Sequence, residues 1–152
     1  MKTSRLFISL LIIFFFFLFT STLAQNINVH EMLGKNLNQV ISVYGKPAHQ
    51  DRSNPAMECL FYKTEAYQMV FVANKEGVFQ AEGCKTFNSK TAAENQLNKI
   101  ISECLSKGFE SDTLNASEFN VYKLGVKMIL SIFENNYSQK YEVKVKANKS
   151  ES

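Results

Sequence analysis

The chain has little of what enzymes commonly use. Its 152 residues hold two histidines and three cysteines. There is no C-x-x-C, no HExxH, and no Walker or glycine-rich phosphate loop. The common zinc, metalloprotease and nucleotide signatures are therefore missing. An excess of one charge is missing too. The formal net charge is +3, and setting aside Lys2 and Arg5 of the leader leaves +1. General nucleic-acid binding needs a far more basic surface. After the first stretch, no apolar run approaches the roughly 20 residues of a membrane span.

The three cysteines are Cys59, Cys84 and Cys104, an odd number that leaves one thiol over. Cys59 belongs to a first strand and Cys84 follows a third. Two strand spacings of about 4.8 Å separate such positions, beyond the roughly 4.4–6.8 Å a disulfide spans. Cys104 continues a helical apolar stripe and reads as a small buried hydrophobe.

What is present begins with a leader. Lys2 and Arg5 precede the apolar run Leu6 to Phe19, and Thr22-Leu23-Ala24 offers small residues for cleavage before Gln25. Residues 1–24 read as a signal peptide, so the mature chain is expected to be secreted or periplasmic. No cysteine near the cut suggests an acyl anchor. Residues 25–147 read as one α+β domain, with sub-units about 30–86 and 90–147, and residues 148–152 are expected to fray.

The first sub-unit opens with a helix. Leu33, Leu37, Val40, Ile41 and Tyr44 share one face. Asn36 and Gln39 suit a capping box, Gly45 a left-handed stop, and Pro47 prevents continuation. The residues before it, Gln25 to Val29, read as a partly ordered polar lead. A loop spans Ala48 to Ala56. Strands are expected at Met57–Thr64, Tyr67–Asn74 and Val78–Glu82, with Gly83 ending the last. A second helix starts at the capping box Thr91-Ala92-Ala93-Glu94 and buries Ala93, Leu97, Ile100, Ile101, Cys104 and Leu105. Gly108 stops it. Glu110 to Ser117 reads as a polar loop. Strands follow at Glu118–Leu124, Val126–Glu134 and Gln139–Ala147. The expected fold is thus two tandem α-β-β-β units that form one antiparallel sheet with two helices packed on one face.

Gly34-Lys35-Asn36, Tyr44-Gly45-Lys46-Pro47 and Leu60-Phe61-Tyr62 together form a pattern. Over about Leu33 to Glu82 it resembles the SmpA/OmlA-type outer-membrane assembly proteins and the repeats of β-lactamase inhibitory protein. That resemblance implies this α+β fold and an exported, non-enzymatic, protein-binding role.

The remaining candidates are sparse. His49 and Asp51 could pair in their loop, yet no nucleophile is tied to them. His30 stands alone. Glu58, Glu65, Glu76 and Glu82 could include a carboxylate pair. Lys140, Lys144, Lys146 and Lys149 form a basic face, suited to an anionic membrane surface or to guarding an edge strand. Asn115, Asn136 and Asn148 fit the glycosylation sequon. No residue is nominated as catalytic, as a metal ligand or as a cofactor contact. The best candidate is a surface. Leu60, Tyr62, Val70, Val72, Tyr122, Ile129 and Phe133 alternate away from the expected core and would line the uncovered sheet face. Its partner would be a protein or a cell-envelope component. The competing expectation is a small exported enzyme or thiol-redox protein using Cys84 or the His49 loop.

Overall fold

A computed structural model of the chain describes residues 27–150. The expected leader, residues 1–24, lies outside the described residues. A 3-10 turn, Val29–Met32, comes first, then helix α1, Leu37–Tyr44. Four strands follow: β1 His49–Asp51, β2 Glu58–Lys63, β3 Tyr67–Asn74 and β4 Gly77–Phe87. Helix α2 spans Lys90–Ser106. Four more strands follow among the described residues: β5 Glu110–Asn115, β6 Glu118–Lys123, β7 Val126–Asn135 and β8 Lys140–Lys149.

This order overturns the expected pair of α-β-β-β units. The eight strands form a single antiparallel sheet in the order β1-β2-β3-β4-β8-β7-β6-β5. The two strands missing from the sequence reading, β1 and β5, are its two edges. Every residue of both is exposed. An edge strand with no side chain in the core needs no apolar alternation, and polar residues there discourage mispairing. His49-Gln50-Asp51 and Glu110 to Asn115 therefore look like loops in the sequence.

The helices form for the reasons their ends suggest. Asn36 Oδ1 accepts from the Gln39 amide at 3.0 Å, and Gln39 Oε1 accepts from the Asn36 amide at 2.9 Å. Both orphan donors are thereby satisfied. Gly45 closes α1 at φ 78°, its N–H donating to the Ile41 carbonyl. Helix α2 starts earlier than expected, because Ser89, with extended backbone, accepts the Ala92 amide on its hydroxyl. Thr91 consequently falls inside the first turn. At the other end the Phe109 amide reaches back to the Cys104 carbonyl, and the ring is buried.

One face of the sheet is the core. Leu60, Phe71, Ala81, Ala147, Met128 and Val121 form a continuous row across six strands. Leu37 and Val40 of α1 and Ala93, Leu97, Ile100 and Cys104 of α2 join these residues in one buried cluster. Tyr44 packs its ring 5.2 Å from Phe71 and 5.8 Å from Tyr62. Each large side chain removed from water contributes about 1.5–3 kcal/mol, so this cluster holds the short α1 in place.

The next row carries a gap. Met69, Gly83, Val145 and Leu130 align, and the chain's first described residues fill the space above the glycine. A Cβ at Gly83 would lie 3.0 Å from Val29 Cγ1 and 3.1 Å from Ile27 Cβ. Ile27 and Val29 are fully buried, so the expected polar lead is instead a strap across the centre of the sheet. Gly83 does not end its strand; β4 runs through it for eleven residues. Nor do Asn148 and Lys149 fray, since both continue β8. After the strap, the Gly34 amide donates to the Val78 carbonyl and the Val78 amide to the Lys35 carbonyl, which fixes the entry to α1.

Candidate functional site

The opposite face of the sheet carries no helix among the described residues. Register sets its composition. One row runs Cys59, Val72, Gln80, Asn148, Lys127 and Tyr122 from β2 to β6. The next runs Phe61, Val70, Glu82, Lys146, Ile129 and Asn120. The central strands thus present polar and charged side chains, and apolar ones flank them on both sides.

Of the seven surface residues expected from the sequence, the structure brings five to this face: Val70, Val72, Tyr122, Ile129 and Phe133. Phe133 is the most open, at 43% exposure. The other two, Leu60 and Tyr62, sit on the core face and are buried. The Tyr62 hydroxyl donates to the Gly45 carbonyl at 3.0 Å, which ties β2 to the end of α1. Cys59-Leu60-Phe61-Tyr62 is apolar at every position, so alternation alone fits either face. Pairing decides it: Leu60 opposes Phe71, whereas Cys59 and Phe61 oppose Val72 and Val70. Phe61 is the aromatic contribution of β2 to the open face, and its ring lies 5.6 Å from that of His49.

A hollow of about 250 Å³ lies near the middle of this face. Val70 and Phe133 border it from opposite sides, with Cys84, Glu142 and Lys144 between them. The thiol of Cys84 donates to Glu142 Oε2 at 3.2 Å, and Asn135 Nδ2 donates to Glu142 Oε1 at 2.7 Å. Burial, with Glu142 adding to it, pushes the Cys84 thiol up to about 12. Such a thiol stays protonated at neutral pH and is a weak nucleophile. Burial raises the Glu82 carboxyl, but Lys144 at 3.2 Å and Lys146 at 3.4 Å outweigh it and hold the group below its ordinary value.

The other candidates do not converge. Cys59, Cys84 and Cys104 are all free thiols, and burial raises the pKa of each. The Asp51 carboxylate accepts from Ser53, which lowers its pKa, rather than orienting His49 for a nucleophile. Glu58 faces Arg52 at 3.7 Å, Glu82 is paired with its two lysines, and Glu65 and Glu76 stand exposed in turns. Lys144 and Lys146 guard no edge, because β8 is central. Asn115 is held in its turn by Ser117 and Glu118, Asn136 is exposed in the β7–β8 turn, and Asn148 lies within β8. Among the described residues no group of three His, Cys, Asp or Glu side chains could hold a metal, and no helix is long and apolar enough to cross a membrane.

No protein-family model matches the chain, and no curated protein matches it. Among solved structures it is similar to an extracellular protein of Bacillus anthracis that contains an SCP domain. The identity is 13% and the TM-score 0.43, over 82% of this chain and 46% of that one. It is also similar to a cysteine-rich secretory protein of Staphylococcus aureus, at 9% identity and TM-score 0.38, over 76% and 44%. The chain spans less than half the length of either.

Proposed function

We propose that this chain is an exported, soluble, non-enzymatic protein that binds another protein or a cell-envelope component through the open face of its sheet. The observation that carries this reading is the placement of Phe61, Val70, Val72, Tyr122, Ile129 and Phe133 on a sheet face that no helix covers among the described residues. Aromatic and branched side chains around a polar centre suit a binding patch, where a few apolar anchors supply most of the energy. The resemblance of the Gly34 to Tyr62 pattern to outer-membrane assembly proteins and to β-lactamase inhibitory protein supports the same role. Export rests on the leader pattern of residues 1–24. The protonated Cys84 thiol and the unaligned His49 and Asp51 speak against the thiol or hydrolytic alternative.

The test is the double change Ile129→Ser with Phe133→Ala. Phe133 already has 43% of its surface in water, so its truncation opens no closed cavity. Removing two anchors should weaken binding to the natural partner by tenfold or more, which corresponds to about 1.4 kcal/mol. Equal binding by the wild type and a folded double variant refutes the reading.

A further inference from the structure

We propose that His30 fastens a pH-released strap: residues 27–33 lie across the sheet at neutral pH and lift from it when His30 is protonated in a mildly acidic medium. The strap is on the face opposite the proposed binding surface and does not depend on it. Its burial is extensive. Ile27 and Val29 are fully buried over Gly83, and Asn28 and His30 are only 6% and 7% exposed. Its attachment to the ladder is slight. The backbone hydrogen bonds of residues 27–33 run within the segment or to the turn that follows it: Val29 to Ile27, Glu31 to Asn28, Leu33 to His30 and Lys35 to Met32. Bonds to β4 begin only at Gly34. The strap can therefore separate without breaking a strand pair.

The polar contacts of the strap are poised for this. Two of its buried polar atoms, Asn28 Oδ1 and His30 Nδ1, have no hydrogen-bond partner. His30 Nε2 lies 3.9 Å from the Cys104 thiol, and its ring stands edge-on to Phe109 at 5.9 Å. A neutral imidazole fits these surroundings. An imidazolium carries N–H on both nitrogens, and Nδ1 would then be a buried charged donor facing no acceptor.

The charged groups around it do not relieve this. Glu31, on the strap, is paired with Lys107, the residue that caps the end of α2. Glu103 of α2 accepts from Asn28 Nδ2 and faces Lys99. Lys123 of β6 sits 4.2 Å over the Phe109 ring and adds positive charge. Burial is the largest influence on His30 and lowers its pKa; Glu31 and Glu103 oppose it, while Lys107 and Lys123 add to it. For a base whose folded pKa is lowered, stability is full above the unfolded value near 6.5 and is lost as pH falls toward the folded value.

Amide hydrogen exchange on the purified chain, corrected for intrinsic pH dependence, tests this at pH 7.5 and 5.0. Protection at Val29, Glu31 and Leu33 should fall at least tenfold at pH 5.0, while Gly34, Phe71, Leu130 and Val145 keep theirs. His30→Phe, whose ring can replace the imidazole against Phe109, should abolish the pH dependence. Three outcomes overturn the proposal. The strap and sheet could lose protection together, which is global unfolding. The strap could hold or tighten at pH 5.0, as when Asn28 Oδ1 accepts the new N–H. The pH dependence could survive in His30→Phe, which assigns it to another group. If His30→Phe fails to fold, the NMR titration of His30 in the wild type decides: release must follow its midpoint, and a midpoint displaced from the loss of protection overturns the proposal.

Discussion

Replacing Gly83 by alanine is a direct probe of how the core is closed. The new methyl group would stand 3.0 Å from Val29 Cγ1 and 3.1 Å from Ile27 Cβ. Neither neighbour yields easily, since valine is stiff at χ1 and the Ile27 Cβ is fixed to its own backbone. Overpacking of this kind costs about 1–3 kcal/mol. Against it stands the roughly 0.5–1 kcal/mol that glycine loses in a strand relative to alanine. The net expectation is a destabilisation of about 0.5–2 kcal/mol, read as a lower urea midpoint at unchanged slope. The double variant with Val29→Ala sharpens the test. Truncating Val29 removes the 3.0 Å contact and leaves the one to Ile27, so the cost of Gly83→Ala should fall by about 0.5 kcal/mol or more in that background. If Gly83→Ala is neutral or stabilising and shows no coupling to residue 29, the strap does not lie on β4 and the core described above is incomplete.

Other outcomes follow from single sites. Leu97→Ala deletes an inward side chain of α2 that is 3% exposed, and chemical denaturation should show a loss of about 2–5 kcal/mol. Asn36→Ala removes one half of the capping box and should cost about 1 kcal/mol in the same assay, with α1 fraying first by amide exchange. Cys84 should react slowly with iodoacetamide at pH 7.5. Its raised pKa adds stability below the unfolded value of 9.0, and that stability is lost as pH rises from there toward about 12. The wild type should therefore weaken more steeply above pH 9 than Cys84→Ser does, and rapid labelling at neutral pH would contradict the buried, hydrogen-bonded thiol.

The elements with a packing signal were legible in the sequence, and those without one were not. Leu37, Val40, Leu97 and Ile100 announced both helices through spacing, and Asn36 with Gln39 marked the start of the first. The inward residues of β3, β7 and β8 alternate cleanly. The edge strands β1 and β5 gave no such signal, because an all-exposed strand has no apolar period. The strap was missed for another reason. Ile27-Asn28-Val29-His30 mixes apolar and polar residues, and only the space over Gly83, a tertiary fact, turns it into core. At the candidate site, Val70, Val72, Tyr122, Ile129 and Phe133 followed from alternation. Leu60 and Tyr62 did not, since four consecutive apolar residues in β2 leave the choice of face to its register with β3. The Cys84–Glu142 contact joins residues 58 positions apart and had no local trace.

The central claim is that the open face of the sheet meets a partner. A photo-crosslinking amino acid placed at position 133, on that face, and at Leu105, on the exposed side of α2, tests it in the native cell envelope. Leu105, expected on the buried stripe of α2 from its spacing, is 47% exposed and Phe133 43%, so the two probes are equally accessible. One discrete crosslinked species is expected from position 133 and none from position 105. The same products from both positions, or none from position 133 in a properly exported chain, would contradict it.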